Sequence, residues 1–235
     1  MLLPKSLQIQ TIDYCNRSCA WCPNAYREKA QNTLMTTSTY VNLLEGLLKN
    51  KYTGGLHLYL MAEPLCDESI LNRIKLARDM FPNNDIFIST NGDFLKGPGH
   101  VRELLDAGLT WMAISDYDTV GKFQYTAPFP QVVVSTLDIL QSTFYNRGGN
   151  VPVECIFPTE VCGWVSGKGY VNYAGDVILC CSDYDYSVVF GNTNDTTFGE
   201  IYNRDKYKEY RKAHALGEGW RMPLCENCNR IKHPC

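Results

Sequence analysis

The sequence predicts an α/β protein: an open, partial (β/α) barrel of about five parallel strands over residues 1–150, then a small cysteine-rich domain, a β-hairpin plus helix, over residues 151–235. Three observations lead there. Strand-like and helix-like stretches alternate at about 25 to 30 residues per unit, the period of parallel βα units. Four or five such units are too few to close an eight-fold barrel. After Asn146-Arg147-Gly148-Gly149-Asn150 the helical periodicity fades, and Gly, Tyr and Cys become frequent.

Leu7 to Asp13 alternates apolar and polar residues and reads as the first strand. Thr37 to Leu48 has helical spacing, with Thr37 or Ser38 as N-cap. Gly55 to Met61 is a second strand, ended at Ala62-Glu63-Pro64 because proline cannot donate to a ladder. Glu68 to Met80 is an amphipathic helix with Ile70, Leu71, Ile74 and Ala77 on one stripe. Asp85 to Thr90 is a third strand, broken at Asn91-Gly92, and His100 to Ala107 is a short helix stopped by Gly108. Leu109 to Ser115 and Val132-Val133-Val134 supply the fourth and fifth strands. Beyond residue 150, Val171 to Tyr173 and Val177 to Leu179 flank Ala174-Gly175-Asp176 as a hairpin. Phe198 to Tyr202 and Lys206 to Leu216 suggest one or two helices.

The chain has 235 residues, 45% of them hydrophobic, enough to bury a real core. A net charge of -3 implies no strong attraction to nucleic acid or anionic membrane. No apolar run approaches the ~20 residues a membrane helix needs. Met1-Leu2-Leu3-Pro4-Lys5 lacks the apolar core of a secretory signal, so the expected location is the cytoplasm. Eleven cysteines in a reducing compartment read as metal ligands rather than disulfides.

Those cysteines cluster. Cys15, Cys19 and Cys22 lie within eight residues, just after the first strand. A disulfide there would strain the loop and leave one thiol over, and a structural zinc wants four ligands. Three thiolates suit a 4Fe–4S cluster with one iron left open. In open α/β folds reactive groups gather at the C-terminal ends of strands. This loop, Glu63-Pro64, Asn91-Gly92 and Ser115-Asp116 all fall at such ends. Cys162, Cys180, Cys225 and Cys228 come from three separate places, as when a small domain wraps a metal; their spacing alone leaves zinc and an iron–sulfur cluster both open.

The C-x3-C-x2-C loop with Trp21 before its last cysteine resembles the signature of the radical S-adenosylmethionine (radical SAM) superfamily. The pattern Cys162, Gly175, Cys180, Cys225-x2-Cys228 resembles the auxiliary-cluster domain called SPASM. Its half-sized twitch form, with one auxiliary 4Fe–4S cluster, is expected, because a full SPASM domain needs more cysteines downstream than a chain ending at Cys235 offers. Within the superfamily the chain is most similar to short dehydrogenases of aminocyclitols. The matching segments are Cys15 to Asn24, Glu63-Pro64, Thr90 to Leu95, Asn146 to Gly149, Gly175 to Asp183 and Leu224 to Asn229.

The resemblance implies that Cys15, Cys19 and Cys22 hold the catalytic cluster and that S-adenosyl-L-methionine chelates its open iron. It places Trp21 near the adenine and Glu63, Ser89, Asn91 and Ser115 on the methionine or ribose. The family's usual Gly-Gly-Glu-Pro is Met61-Ala62-Glu63-Pro64 here. It implies a small-molecule substrate and a reductant such as flavodoxin or ferredoxin. A 5′-deoxyadenosyl radical would take a hydrogen from an alcohol, which would then become a ketone with the auxiliary cluster as electron sink. Arg147 is the expected substrate contact; Asp183 and His57 are further candidates. Competing readings are a peptide maturase, for which the chain has no separate leader-binding domain, and an epimerase using Cys66, Cys155 or Cys181 as hydrogen donor. A zinc- or iron-binding regulatory module would leave the strand-end residues unexplained.

Overall fold

A computed structural model of the chain describes residues 1–28, 32–118, 121–155 and 157–231. Five βα-type strands come first: β1 (Ser6–Ile9), β2 (Gly55–His57), β3 (Ile86–Thr90), β4 (Trp111–Asp116) and β5 (Val132–Thr136). Between and after them run α1 (Thr37–Lys49), α2 (Ile70–Met80), α3 (Pro98–Asp106) and the short α4 (Leu137–Gln141). The C-terminal part adds α5 (Trp164–Gly167), β6 (Lys168–Val171), β7 (Asp176–Ile178), β8 (Val189–Asn192), α6 (Phe198–Tyr202) and α7 (Asp205–Ala215).

All eight strands form one sheet in the order β5-β4-β3-β2-β1-β6-β7-β8. Strands β1 to β5 pair in parallel, as the alternation predicts. Strand β6 also pairs in parallel with β1, from Ser6↔Lys168 to Ile9↔Val171. The cysteine-rich part therefore continues the barrel's own sheet across the boundary expected at residue 150. The expected hairpin is present as β6 and β7, which are antiparallel, and β8 extends it. Its turn depends on Gly175, at φ +90. Asn172 closes the turn by accepting from the Ala174 and Asp176 N–H groups at 3.0 and 2.9 Å.

Side chains alternate across a strand. One set, including Leu7, Ile9, Leu56, Ile86, Ile88, Met112 and Ile114, is fully buried against Leu43, Leu44 and Leu47 of α1, Ile74 and Ala77 of α2, and Val101 and Leu104 of α3. Truncating one such buried leucine to alanine would cost about 2–5 kcal/mol. The other set, with Gln8, Tyr59, Ser89 and Ser115, lines the concave face. Helices on one side only leave that face open for a site.

Several elements differ in extent from the sequence reading. The N-cap of α1 is Thr36, whose Oγ1 accepts from the Thr39 N–H at 3.1 Å, rather than Thr37 or Ser38. Strand β2 is shorter than expected: past Leu58, whose N–H still reaches Phe87 O at 2.8 Å, the Met61 carbonyl accepts from the Asn24 side chain instead of a neighbouring strand. Strand β8 and the short helices α4 and α5 carried too little periodicity to be read. No helix among the described residues is long and apolar enough to cross a membrane.

Candidate active site

The cysteine loop leaves β1 and is fastened to the rim at several points. The Tyr14 carbonyl accepts from the Glu63 N–H at 3.1 Å, and Asn24 Nδ2 donates to Met61 O at 3.1 Å. A tight turn closes the loop itself, with the Cys22 N–H donating to Cys19 O at 2.9 Å. Arg17, between the first two cysteines, grips Asp93 through Nε at 2.6 Å and Nη2 at 2.5 Å, and also pairs with Asp118. Asn16 Nδ2 and Lys122 Nζ add bonds to Asp93 at 2.8 and 3.0 Å. The Arg17 hydrogen bonds hold the Asp93 carboxyl well below the usual carboxylate range.

Glu63 gathers three strand ends. Its carboxylate accepts from the Leu65 N–H at 3.0 Å, Thr90 Oγ1 at 2.5 Å and the Asn91 N–H at 2.8 Å, and it is 3% exposed. Burial pushes its carboxyl up to about 7 against the pull of those donors. Asn91 Nδ2 donates to Asn16 Oδ1 at 2.8 Å, so the β3 end holds the loop directly.

Together these elements enclose a cavity of about 320 Å³ lined by Cys15, Cys19 and Cys22. Every expected cofactor residue, Trp21, Glu63, Ser89, Asn91 and Ser115, also lines it, and so does Arg147. Trp21 stacks on Phe144 (centroids 5.1 Å, 14° apart) and leans on Tyr117 at 5.4 Å, which fixes an aromatic face beside the loop. Burial pushes the Cys15 thiol up to about 12, so a metal has to displace its proton.

Two expectations are not met by position. Asp183 is buried and lies outside this lining: Oδ1 accepts from Ser187 N and Oγ, both at 2.7 Å, and Oδ2 from Val188 N at 3.0 Å. It holds a turn, bonded to its own local backbone and to Ser187. His57 is also outside the lining, stacked beside Tyr59 and edge-on to Phe87; burial lowers its pKa to about 4.

A second, smaller cavity is lined by Cys162, Cys180, Cys225 and Cys228, the four cysteines grouped from sequence. His214 joins them, with Nε2 3.4 Å from Cys225 Sγ. The chain turns just after β7, with the Asp183 N–H donating to Cys180 O at 3.1 Å, and the two thiols part: Cys180 lines the second cavity and Cys181 the first. Cys66 and Cys155 line neither, and Cys235 lies outside the described residues. Trp164 lines both cavities, and Tyr145 packs against it edge-on at 5.7 Å. Arg147 lies over the Tyr145 ring on one side and Arg230 over Trp164, at 4.0 Å, on the other.

The donor sets fit iron–sulfur clusters. Three thiols leave one iron of a 4Fe–4S cluster open, and four thiols leave none. Among the described residues no three His, Cys, Asp or Glu side chains converge tightly enough to close on a single ion.

Gln8, Tyr59, Tyr117, Trp164, Lys168 and Tyr184 also belong to the first lining and were not read from the sequence. Gln8 was detectable, as a polar alternate on a strand; Trp164, Lys168 and Tyr184 arrive only through the pairing of β6 with β1.

Residues 9–115 match the family model of the radical SAM superfamily, and residues 162–229 match that of SPASM, described as an iron–sulfur cluster-binding domain. Residues 9–115 are thus a domain of the radical SAM superfamily and residues 162–229 one of the SPASM kind; proteins with this pair hold a 4Fe–4S cluster with S-adenosyl-L-methionine, and the second domain holds an auxiliary cluster. It is similar to the S-adenosyl-L-methionine-dependent 2-deoxy-scyllo-inosamine dehydrogenase of Niallia circulans, 24% identical over 96% of this chain and 92% of that protein. A GTP 3',8-cyclase of Clostridium acetobutylicum is 33% identical, over 51% of this chain and 36% of the cyclase. Among solved structures, BtrN in complex with AdoMet and 2-DOIA superposes with a TM-score of 0.86 at 24% identity, over 97% of this chain and 94% of that one. The match to anSMEcpe with bound AdoMet is looser, with a TM-score of 0.54 at 14% identity, over 90% of this chain and 81% of that one.

Proposed function

We propose that the chain is a radical SAM dehydrogenase that oxidises an alcohol of a small, sugar-like polyol to a ketone. Cys15, Cys19 and Cys22 hold the catalytic cluster, and Cys162, Cys180, Cys225 and Cys228 hold one auxiliary 4Fe–4S cluster. Residues 1–150 form the radical SAM part and 151–235 a twitch-type domain, with an electron donor such as flavodoxin or ferredoxin. When bound, the first cluster with S-adenosyl-L-methionine supplies a 5′-deoxyadenosyl radical, and the second supplies an electron acceptor.

The residues of the chain do the rest. Trp21 offers its face to the adenine. Glu63 holds the Asn91 backbone in place, so that Asn91, Ser89 and Ser115 meet the methionine and ribose groups at fixed positions. Arg147 orients the reacting hydroxyl and stabilises charge on its oxygen as the proton leaves. Tyr184 and Trp164 shield the radical from water. The observation that carries this reading is the shared wall: Trp164 lines the three-thiol cavity and the four-thiol cavity together. An electron leaving the substrate has a short path to an acceptor.

The test is anaerobic reconstitution followed by incubation with S-adenosyl-L-methionine and a polyol deuterated at one carbinol carbon. Eight irons per chain and deuterium in 5′-deoxyadenosine are expected; four irons, with or without zinc, would remove the electron sink. One observation favours a second reading, epimerisation. Of the three candidate hydrogen donors, Cys181 alone lines the first cavity. That reading requires a product of unchanged mass carrying solvent deuterium.

A further inference from the structure

The charge balance of the first cavity bears on what it accepts. Among the described residues lining it, the charged side chains apart from the thiols are Arg17, Glu63, Arg147 and Lys168. Arg17 is committed to Asp93 and Asp118. Both oxygens of Glu63 already accept hydrogen bonds from the rim. The one lining carboxylate thus has three of its acceptor positions filled by the rim, two at Oε1 and one at Oε2.

Two cations remain. Arg147 bonds through Nη1 to the Tyr145 hydroxyl at 3.1 Å and lies over its ring at 4.6 Å, in the field of Cys181 and Cys22. Lys168, the first residue of β6, has its ammonium 5.3 Å over the Trp164 ring. Among the described residues neither meets an acid within ion-pair distance. A half-buried cation without a counter-ion is costly unless a ligand supplies one. A second observation comes from the opposite strand of the β1–β6 pair. Gln8 lines the cavity at 4% exposure; its amide lies against the Tyr59 hydroxyl, and its Oε1 is buried with no hydrogen-bond partner of its own. It can accept from a hydroxyl.

We infer that the substrate is an acidic polyol: its oxyanion, a carboxylate or a phosphate, pairs with Lys168 while a neighbouring hydroxyl donates to Gln8 Oε1. Arg147 is left for the reacting oxygen. The inference rests on the cavity being the site of alcohol oxidation. It separates this chain from the relative whose name carries an amine.

The test is calorimetric binding to the reconstituted holoenzyme, with S-adenosyl-L-methionine present, of a matched series: glucose, glucuronate, glucose 6-phosphate and glucosamine. At least one acid should bind tenfold or more tighter than glucose and glucosamine, and the two acids separate carboxylate from phosphate. Lys168→Gln should weaken that acid by roughly ten- to a hundredfold, and Lys168→Glu should turn the preference to glucosamine, with iron content unchanged in both. Equal binding across the series, no binding, or a wild-type preference for glucosamine overturns the subsite. Product mass keeps the two ideas apart. Lys168-dependent binding of acids without loss of two hydrogens leaves the subsite and defeats the oxidation reading; oxidation of glucosamine alone does the reverse.

Discussion

Replacing Arg17 by methionine removes the clamp on the cysteine loop without touching a thiol. Methionine keeps most of the stem and loses the guanidinium fork. The pair with Asp118 contributes little, because Asp118 is 52% exposed at its side chain. The bidentate bond to Asp93, with side chains 17% and 22% exposed, contributes more. Charge-assisted hydrogen bonds are worth about 1.5–3 kcal/mol when well buried; discounted for this exposure, the loss is about 2 kcal/mol. For a chain of this size that is a drop in Tm of roughly 4–8 °C. Asp93 titrates below the ordinary carboxylate range in the fold, so its contribution is fully present above the unfolded value and is lost only as pH falls through the lower folded one. The penalty should therefore be the same at pH 6 and pH 8. Anaerobic calorimetry of the reconstituted variant, with iron counted beforehand, measures it. A Tm within 1 °C of wild type, or a penalty that changes between pH 6 and 8, would refute the clamp.

Cys180→Ser should reduce iron from eight to about four per chain while Cys181→Ser leaves eight, since the two thiols line different cavities; iron and sulfide assays decide it. Gly175→Ala forces φ +90 on a residue with a Cβ that would sit 3.0 Å from Thr193, Asn194 and Thr39 atoms. It should cost about 1–2 kcal/mol, seen as a lower Tm with unaltered iron content. His214→Phe removes a ring nitrogen, Nε2, 3.4 Å from Cys225 Sγ, which has to be the donor once that sulfur is a thiolate ligand. Donors to cluster sulfur favour the reduced state, so the auxiliary potential should fall by on the order of 40 mV for a bond worth about 1 kcal/mol. Redox titration followed by electron paramagnetic resonance checks both size and sign.

Much of the fold was legible because its signals are local. The alternation from Leu7 to Asp13, the stripe from Ile70 to Ala77 and the break at Asn91-Gly92 each declare an element within a few residues. The rim of the first cavity was legible for a further reason: strand ends in a parallel sheet must lie together, so Cys15, Glu63, Asn91 and Ser115 could be placed on one side without any pairing known. What was hidden depends on distant chain. Lys168 and Trp164 reach the first cavity only because β6 pairs with β1, some 160 residues earlier. The same pairing places the expected domain boundary within a continuous sheet. Asp183 was a candidate through the resemblance, yet its carboxylate is bonded to Ser187 and Val188 of its own turn, a use that the local sequence does not reveal.

The most direct test of a two-cluster dehydrogenase is the mass and stoichiometry of its product under anaerobic turnover. The predicted result is a ketone two hydrogens lighter than the substrate, formed one for one with 5′-deoxyadenosine. A product of unchanged mass with a solvent-derived hydrogen at the carbinol carbon would contradict it.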